Sequence, residues 1–191
     1  MTWIRTIPWD EAEGELRQAY DWQAASLGEP AEFTRLGSLY PPIVDERLRL
    51  YRTVEHCPSS LSPTERQLAC YVTSLLNDTP HCGSGLRHKL LGLGLDPALL
   101  DAVEARPEEA ATGDERLDAI CGYAAVLTRS PGAVAEADLA RLRSFGLDDL
   151  DLVDLNNLVA YYNYINRVAN GLGLRTTLNP HEATHAVPPA P

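Results

Sequence analysis

The sequence lacks the C-x-x-C spacing, although it contains four cysteines, Cys57, Cys70, Cys82 and Cys121. It also lacks any apolar run close to the about 20 residues that a membrane-spanning helix needs. No secretory signal precedes the cysteines. These absences predict a cytoplasmic protein that does not cross a membrane and whose thiols stay free and reduced.

Basic residues are also scarce in this chain. Sixteen Lys and Arg against 27 Asp and Glu give a net charge of −11, which argues against nucleic acid and anionic membranes as partners, because both attract basic side chains. A length of 191 residues with 45% hydrophobic content suffices for one core and is short for two. We therefore predict one domain over residues 1–178, followed by a Pro/Ala-rich tail over residues 179–191.

Two helix starts lie close together in residues 61–95. Ser62, followed by proline and then Glu65, has the pattern of a capping box, so a helix is predicted to begin there. Thr79 followed by Pro80 repeats the start signal and predicts a second helix that ends near residue 92 or 94. Cys82 would lie in the first turn of this second helix. Unpaired N–H groups and the helix dipole favour a thiolate there, so a lowered pKa is predicted for Cys82.

The remainder of the chain also has helical patterns. Apolar spacing, proline starts and glycine stops predict further helices at about residues 10–26, 31–40, 114–129, 136–145 and 149–170. A break at Pro41-Pro42 is followed by a predicted helix through residues 48–54, and Asp96-Pro97 starts another short helix. The predicted fold class is therefore all-α, a helical bundle in a single domain.

The residues 61–95 carry a recognisable pattern, L-S-x-x-x-R-E-x-I-A-x-x-V-S-x-x-N-x-C-x-x-C-x-x-x-H, followed by a leucine-rich turn that ends in G-L. The sequence matches this pattern without gaps at Leu61, Ser62, Arg66, Ala69, Val72, Ser74, Asn77, Cys82, Gly94 and Leu95. A second recognisable stretch is Y-Y-N-Y-I-N-R at residues 161–167. The chain thus resembles the carboxymuconolactone decarboxylase and AhpD-like alkylhydroperoxidase family, specifically its peroxidase-related members, over residues 5–175. The resemblance implies an AhpD-like bundle that forms a homo-oligomer (a dimer, trimer or hexamer), needs no cofactor and takes a small-molecule substrate.

Four positions carry the redox chemistry of that family, and in this sequence they are Gln67, Thr79, Cys82 and Leu86. The resemblance assigns them a glutamate, two cysteines and a histidine, of which only the second cysteine is present. An amide at Gln67 cannot accept a proton, and Thr79 cannot close a disulfide. The two-cysteine peroxidase cycle is therefore predicted to be absent, while the fold is kept.

The catalytic candidates cluster around the predicted pocket. Gln67, Tyr71 and Ser74 form one polar stripe at helical spacing, which is predicted to face the cysteine of the next helix. His81 and His88 share a helix face at i, i+7, and the alternative for both is an ordinary surface or hydrogen-bonded role. The catalytic candidates are therefore Cys82, Gln67, Tyr71, His81 and His88.

Asparagines recur along the last predicted helix, where an amide is costly unless it has a hydrogen-bond partner. The favoured interpretation is a polar network with neighbouring helices or a subunit interface. The alternative is that side chains of this helix reach the pocket. With two of the altered redox positions, the substrate-binding candidates are Thr79, Leu86, Tyr162, Asn163 and Asn166.

A zinc-type motif, H-E-x-x-H, occurs at residues 181–185. Pro180 before it and the proline-rich tail after it leave under two turns of helix and no third ligand. No metal site is therefore predicted, since such a motif needs a supported helix with further partners around the metal.

Three functions remain open from the sequence. The first is a diverged enzyme that acts on a small organic substrate in the family's pocket. The second is a one-cysteine hydroperoxidase that uses Cys82, and the third is a non-catalytic binding or scaffold protein. Loss of three redox residues favours the first and third, whereas the helix-start position of Cys82 keeps the second open.

Overall fold

The computed structural model describes residues 2–109 and 111–178, and within them the secondary structure is helical, without strands. The all-α prediction is confirmed. The helices are α1 Gly14–Leu27, α2 Glu32–Arg35, α3 Pro41–Glu55, α4 Pro63–Leu76, α5 Pro80–Gly92, α6 Pro97–Ala105, α7 Glu115–Arg129, α8 Glu136–Ser144 and α9 Asp149–Gly171, with a 3₁₀ turn at Pro131–Ala133.

Two helical segments are shorter than predicted. The first helix begins at Gly14 rather than near residue 10, because Gly14 has a φ of +54° that a helix cannot continue through. The predicted helix over residues 31–40 is a single turn, Glu32–Arg35, followed by turns up to Tyr40. Helix α3 begins at Pro41, before the predicted residues 48–54, and the other predicted helix bounds lie within three residues of the observed ones.

Helix α4 lies at the centre of the bundle, where it packs against α5, α7 and α9. Its capping box forms as predicted: Ser62 Oγ accepts from the Glu65 backbone N–H at 3.2 Å, and a Glu65 carboxylate oxygen accepts from the Ser62 N–H at 2.7 Å. Side chains are buried around the whole circumference of α4, including Leu68, Tyr71 and Val72. A helix buried on every side is held by packing rather than by one amphipathic stripe.

A buried ion pair joins α4 to α9. Arg66 donates to Asp154, and the side chains of the two residues are only 8% and 1% exposed. The same guanidinium donates to the Val54 carbonyl oxygen at 2.7 Å, and the Ser59 hydroxyl donates to Asp154. The pair therefore connects the end of α3, the loop before α4 and the middle of α9.

The asparagines of α9 form the predicted polar network. The Asn163 side-chain amide donates to Thr128 Oγ1 at 3.1 Å, and its oxygen accepts from Asn77 at 2.9 Å. Asn166 is fully buried and donates to Ser74 Oγ at 3.3 Å. These amides satisfy one another between α4, α7 and α9, as buried polar groups generally do.

The N-terminal arm is fastened to both ends of the fold. Trp3 donates its backbone N–H to the Leu172 carbonyl oxygen at 2.9 Å, and its ring covers Gly173 so closely that a Cβ there would lie 2.4 Å from it. Further along, Ile7 donates to Ser38 Oγ at 2.8 Å and accepts from the Tyr20 hydroxyl at 3.1 Å. The arm thus connects α1 and the turn before α3 to the end of α9. Within residues 2–109 and 111–178, no helix is long and apolar enough to cross a membrane.

Candidate functional site

A cavity of about 190 Å³ lies between α1, α2, α3, α5 and α9 and is partly open to solvent. Its aliphatic wall comes from leucines and an isoleucine of these helices. Its aromatic wall consists of Trp22, Phe33, Tyr51, Tyr161 and Tyr162. Concave, mostly apolar sites of this kind with a few polar groups are typical of small-molecule binding.

Three tyrosines give the cavity a layered wall. The rings of Tyr51 and Tyr161 are stacked, with centroids 5.7 Å apart and planes inclined by 23°. Tyr162 meets Tyr161 edge to face, with centroids 6.1 Å apart. Burial raises the pKa of each of these hydroxyls, so all three are neutral at physiological pH. A flat apolar ring fits such a surface by offset stacking or edge contact.

Cys82 borders the cavity from the first turn of α5, as the helix-start pattern predicted. The predicted lowering of its pKa is wrong. Burial among apolar side chains raises the pKa of Cys82 to about 12, and the positive charge of Lys89 opposes this only in part. The thiol is therefore protonated at neutral pH, because desolvation outweighs the helix dipole.

The four cysteines are free, and all of them are within the described residues. Cys70 and Cys121 are fully buried in the core, and burial raises the pKa of both. Neither borders the cavity, and Cys57 does not border it either. Cys82 is thus the one thiol of the described chain that a molecule in the cavity can meet.

Gln67 lies outside the cavity lining and beside Glu55. Its amide nitrogen donates to Glu55 Oε2 at 3.4 Å, while Oε1 of each residue is buried without a hydrogen-bond partner. The position to which the resemblance assigns a glutamate therefore holds an amide, and a carboxylate from α3 lies next to it. Glu55 was not among the predicted residues, because the contact joins two helices and leaves no local pattern.

Tyr71 also lies away from the cavity. Its hydroxyl donates to Glu104, which accepts from Arg87 Nη1 at 3.0 Å, and burial raises the pKa of Tyr71. Ser74 bonds to the α9 network and Gln67 to Glu55. The prediction that these three side chains form one stripe facing Cys82 is therefore wrong, because each has a partner on a different helix.

His81 and His88 both contact the C-terminal segment, residues 175–178. His81 Nδ1 lies 3.3 Å from Thr176 Oγ1, and His88 Nε2 lies 3.2 Å from the Leu178 carbonyl oxygen. Ser84 Oγ accepts from the Leu178 N–H at 2.8 Å. Both histidines thus contact the C-terminal segment. His81 and Leu178 also line the cavity, so the segment closes one of its sides.

The predicted substrate-binding residues divide into two groups. Leu86 and Tyr162 line the cavity. Thr79 is buried and accepts from the Asn170 amide at 3.0 Å, while Asn163 and Asn166 belong to the α9 network. These three side chains lie outside the cavity lining. Their prediction as substrate-binding residues is therefore wrong, because each forms a hydrogen bond between helices.

Two cationic residues of the cavity were missed by the sequence reasoning. Lys89 Nζ donates to the Tyr51 hydroxyl at 3.4 Å. Arg47 is buried, lies over the Phe33 ring at 4.3 Å from its centroid, and donates to the carbonyl oxygens of Phe33 and Thr34. A signal for Lys89 exists, since it follows Cys82 by seven residues and a helix turns by about 100° per residue, which places both on one face. Arg47 has no such signal.

The described residues contain no group of three or more His, Cys, Asp or Glu side chains arranged to hold a metal ion. The H-E-A-T-H sequence at residues 181–185 lies outside the described residues. The prediction that it binds no metal therefore stays a prediction.

Restoring the glutamate at position 67 is expected to destabilise the fold. In Gln67→Glu a second carboxylate would lie beside that of Glu55, and two adjacent like charges raise the pKa of one of them. A carboxyl whose pKa is raised in the folded state lowers the free energy of unfolding. The loss is small below its unfolded pKa of about 4.3 and grows as the pH rises above that value. We expect a loss of about 2 kcal/mol at about pH 8 and a small loss at about pH 4, measured by urea denaturation.

The double variant Glu55→Gln with Gln67→Glu is the matched control, because it leaves a single carboxylate in the same contact. It is expected to recover most of the wild-type stability at both pH values. A double variant as unstable as Gln67→Glu alone would mean that the two side chains do not share the contact.

No protein-family model matches the chain, and no curated protein does. Solved structures do match it. An uncharacterized peroxidase-related protein from Silicibacter sp. TM1040 is 25% identical, with 90% of this chain and 89% of that chain covered and a TM-score of 0.76. An uncharacterized peroxidase-related protein from Ralstonia eutropha JMP134, described as an alkylhydroperoxidase AhpD core, is 19% identical, with 97% and 98% covered and a TM-score of 0.82. This chain is AhpD-like.

Another solved structure with this fold is that of an enzyme, a debrominase. The debrominase Bmp8 is 12% identical to this AhpD-like chain, with 89% of each chain covered and a TM-score of 0.69. A cysteine-to-alanine variant of that debrominase in complex with 2,3,4-tribromopyrrole matches with a TM-score of 0.70. At this identity the likeness concerns the fold alone.

Proposed function

We propose that this AhpD-like protein is an enzyme that binds a small planar organic molecule in the aromatic cavity and acts on it through Cys82. The observation that carries the proposal is the position of that thiol, which borders a cavity walled by Tyr51, Tyr161 and Tyr162. The debrominase with this fold lends support, since its variant structure holds a small aromatic ring, a tribromopyrrole.

Cys82 works as a single thiol in this proposal. The other cysteines lie outside the cavity lining, and Cys70 and Cys121 are in the core. A reaction that oxidises Cys82 therefore needs an external thiol to reduce it again. Because burial keeps the sulfur protonated, attack by the thiolate depends on the substrate or on Lys89 to favour deprotonation inside the cavity.

A substrate screen tests the proposal. The purified protein is incubated with halogenated pyrroles, halogenated phenols and other small aromatic compounds, with and without dithiothreitol, and loss of each compound is followed by liquid chromatography with mass spectrometry. Conversion that disappears in Cys82→Ala supports the proposal. Binding of ring compounds without conversion would favour a non-catalytic binding protein instead.

A second candidate function, a one-cysteine hydroperoxidase, rests on the same exposure of Cys82 to the cavity. The thiolate would attack the peroxide, giving a sulfenic acid and an alcohol, and two external thiols would then restore the cysteine with release of water and a disulfide. The raised pKa of Cys82 argues against this function, because the thiolate is the nucleophile.

Consumption of peroxide in the presence of dithiothreitol, together with trapping of sulfenic acid by dimedone, tests the hydroperoxidase function. We expect the wild-type protein to consume peroxide no faster than Cys82→Ala does.

Self-association is part of the proposal. Exposed apolar side chains at the start of α3 and just before it, Leu39, Tyr40 and Ile43, are 50%, 65% and 37% exposed. Large exposed apolar side chains that lie close together often mark interaction surfaces. Light scattering coupled to size-exclusion chromatography measures the number of chains, and a dimer, trimer or hexamer is expected.

A further inference from the structure

Among the described residues that line the cavity, the fully charged side chains are both positive. They are Arg47 and Lys89, and the described part of the lining contains no aspartate or glutamate. This is unusual in a protein with a net charge of −11. Lys89 is, moreover, the single lysine of the sequence. The two cations thus concentrate positive potential inside an acidic protein, and an apolar cavity focuses such a potential.

The two cations share the cavity with the stacked tyrosine pair. Lys89 donates to the hydroxyl of Tyr51, whose ring stacks on Tyr161. Arg47 lines the same cavity as both tyrosines, and its charge opposes the burial that raises the pKa of Tyr161. A flat molecule against the tyrosine wall therefore has two positive groups within the same lining.

Neither cation is neutralised by an ion pair within the described residues. The groups to which Arg47 donates are backbone carbonyl oxygens, and Lys89 donates to a hydroxyl. Glu55 is the acid that acts on Lys89, but its carboxylate accepts from Gln67 and does not line the cavity. A partly buried cation without a paired anion is costly, so a bound anion would relieve that cost.

Lys89 is suited to binding rather than to covalent chemistry. The pKa of Lys89 is raised by Tyr51, whose hydroxyl oxygen accepts from Nζ, and by the negative charge of Glu55, while burial lowers it. The amine is therefore an ammonium ion at neutral pH and has no free electron pair to attack a carbonyl group. Two of its three N–H donors remain available to an anionic oxygen.

We propose that the cavity selects a planar aromatic anion, a ring bearing a carboxylate or another negative oxygen, over its neutral analogue, with Arg47 and Lys89 as the charge-selecting residues. This inference rests on the proposed function for the location of the site. It adds that the substrate is negatively charged, and that the ring lies on the tyrosine wall while its anionic group meets a cation.

Alkylation of the native protein tests this charge selection without a known substrate. Iodoacetate is an anion and iodoacetamide is neutral, and each reacts by the same step. A cysteine sulfur displaces iodide as the S–C bond forms, and the thiol proton passes to water. Peptide mass spectrometry gives the rate at each cysteine. Cys57 is the internal control, because it lies outside the cavity and beside Asp154, which helps to raise its pKa.

The rate ratio of iodoacetate to iodoacetamide is expected to be at least about fivefold higher at Cys82 than at Cys57. Lys89→Met should remove most of this preference, and Lys89→Arg should retain it. Any change in the thiolate fraction of Cys82 affects both reagents alike and cancels in the ratio. Thermal unfolding of each variant shows that the fold is intact.

Two other outcomes overturn the inference in distinguishable ways. If Cys82 is labelled but its rate ratio of iodoacetate to iodoacetamide is no higher than that of Cys57, the cavity does not select anions. The proposed function would still stand. Labelling is run for hours at about pH 9, because the raised pKa of Cys82 leaves only a small thiolate fraction at neutral pH. Failure of both reagents to label Cys82 under these conditions would mean that molecules of this size do not reach the thiol, and both the inference and the proposed function would then fall.

Discussion

Replacing Asp154 by alanine is expected to lower the free energy of unfolding by about 3–5 kcal/mol, the largest effect on stability that we predict. The change would leave the Arg66 guanidinium buried with the Val54 carbonyl oxygen as its remaining partner. It would also leave the Ser59 hydroxyl without its acceptor. Urea denaturation followed by circular dichroism measures the loss.

Asp149 supplies the matched control, since it is also an α9 aspartate paired with an arginine. Its partner is Arg143, and the side chains of this pair are 87% and 47% exposed. Asp149→Ala is therefore expected to cost at most about 0.5 kcal/mol. If Asp154→Ala costs no more than Asp149→Ala, the pair between α4 and α9 does not hold the bundle together.

Replacing Cys82 by alanine is expected to lower kcat/KM on a substrate found by screening by a factor on the order of 10³. The change removes the sulfur that borders the cavity, and the buried cysteines lie too deep to replace it. Alanine fills nearly the same space in the first turn of α5, so the melting temperature should change little. Product formation is measured by chromatography and mass spectrometry at several substrate concentrations.

Cys57→Ala is the control for this second prediction, because it removes a half-buried thiol outside the cavity. It should retain the wild-type rate. Cys82→Ser separates size from chemistry, since a hydroxyl is a far weaker nucleophile than a thiol at neutral pH. A Cys82→Ala protein that keeps its rate would show that the reaction, if present, takes place elsewhere or without the thiol.

Signals close together in the sequence predicted the fold well. The capping box at Ser62 and the Thr79-Pro80 start are local features, and both helices begin where these features occur. The segment around residues 31–40 was predicted too long, because its residues pack as turns below the cavity rather than as an amphipathic helix. At Ser62 the capping box forms, whereas the Thr79 side chain makes no cap hydrogen bond, so there the proline after it marks the helix start.

Local sequence signals could not predict the contacts between distant parts of the chain. Arg66 and Asp154 are 88 residues apart, and nothing in either local pattern indicates that they meet. The same holds for Tyr71, whose partner Glu104 lies on α6, and for Gln67 beside Glu55. Tyr71 and Gln67 are polar side chains on a helix and were assigned to the site, whereas tertiary packing gives each of them a structural partner.

The candidate site was predicted where the resemblance and the helix start agreed. Cys82 and Leu86 border the cavity as expected. The acidity of the thiol was predicted wrongly, because the helix dipole is a local effect and desolvation depends on the surrounding helices. The spacing of Lys89 to Cys82 was visible in the sequence. The importance of its charge follows only from the structure, in which the described residues of the lining include no aspartate or glutamate.

We propose that Cys82 works in the cavity as a single thiol, without a disulfide partner in the chain. Peptide mapping under non-reducing conditions, after oxidation by substrate or peroxide without added thiol, tests this most directly. We expect Cys82 to be recovered as a free thiol, as a sulfenic acid or as an adduct with the substrate. A disulfide between Cys82 and Cys57, Cys70 or Cys121 of the same chain would contradict it.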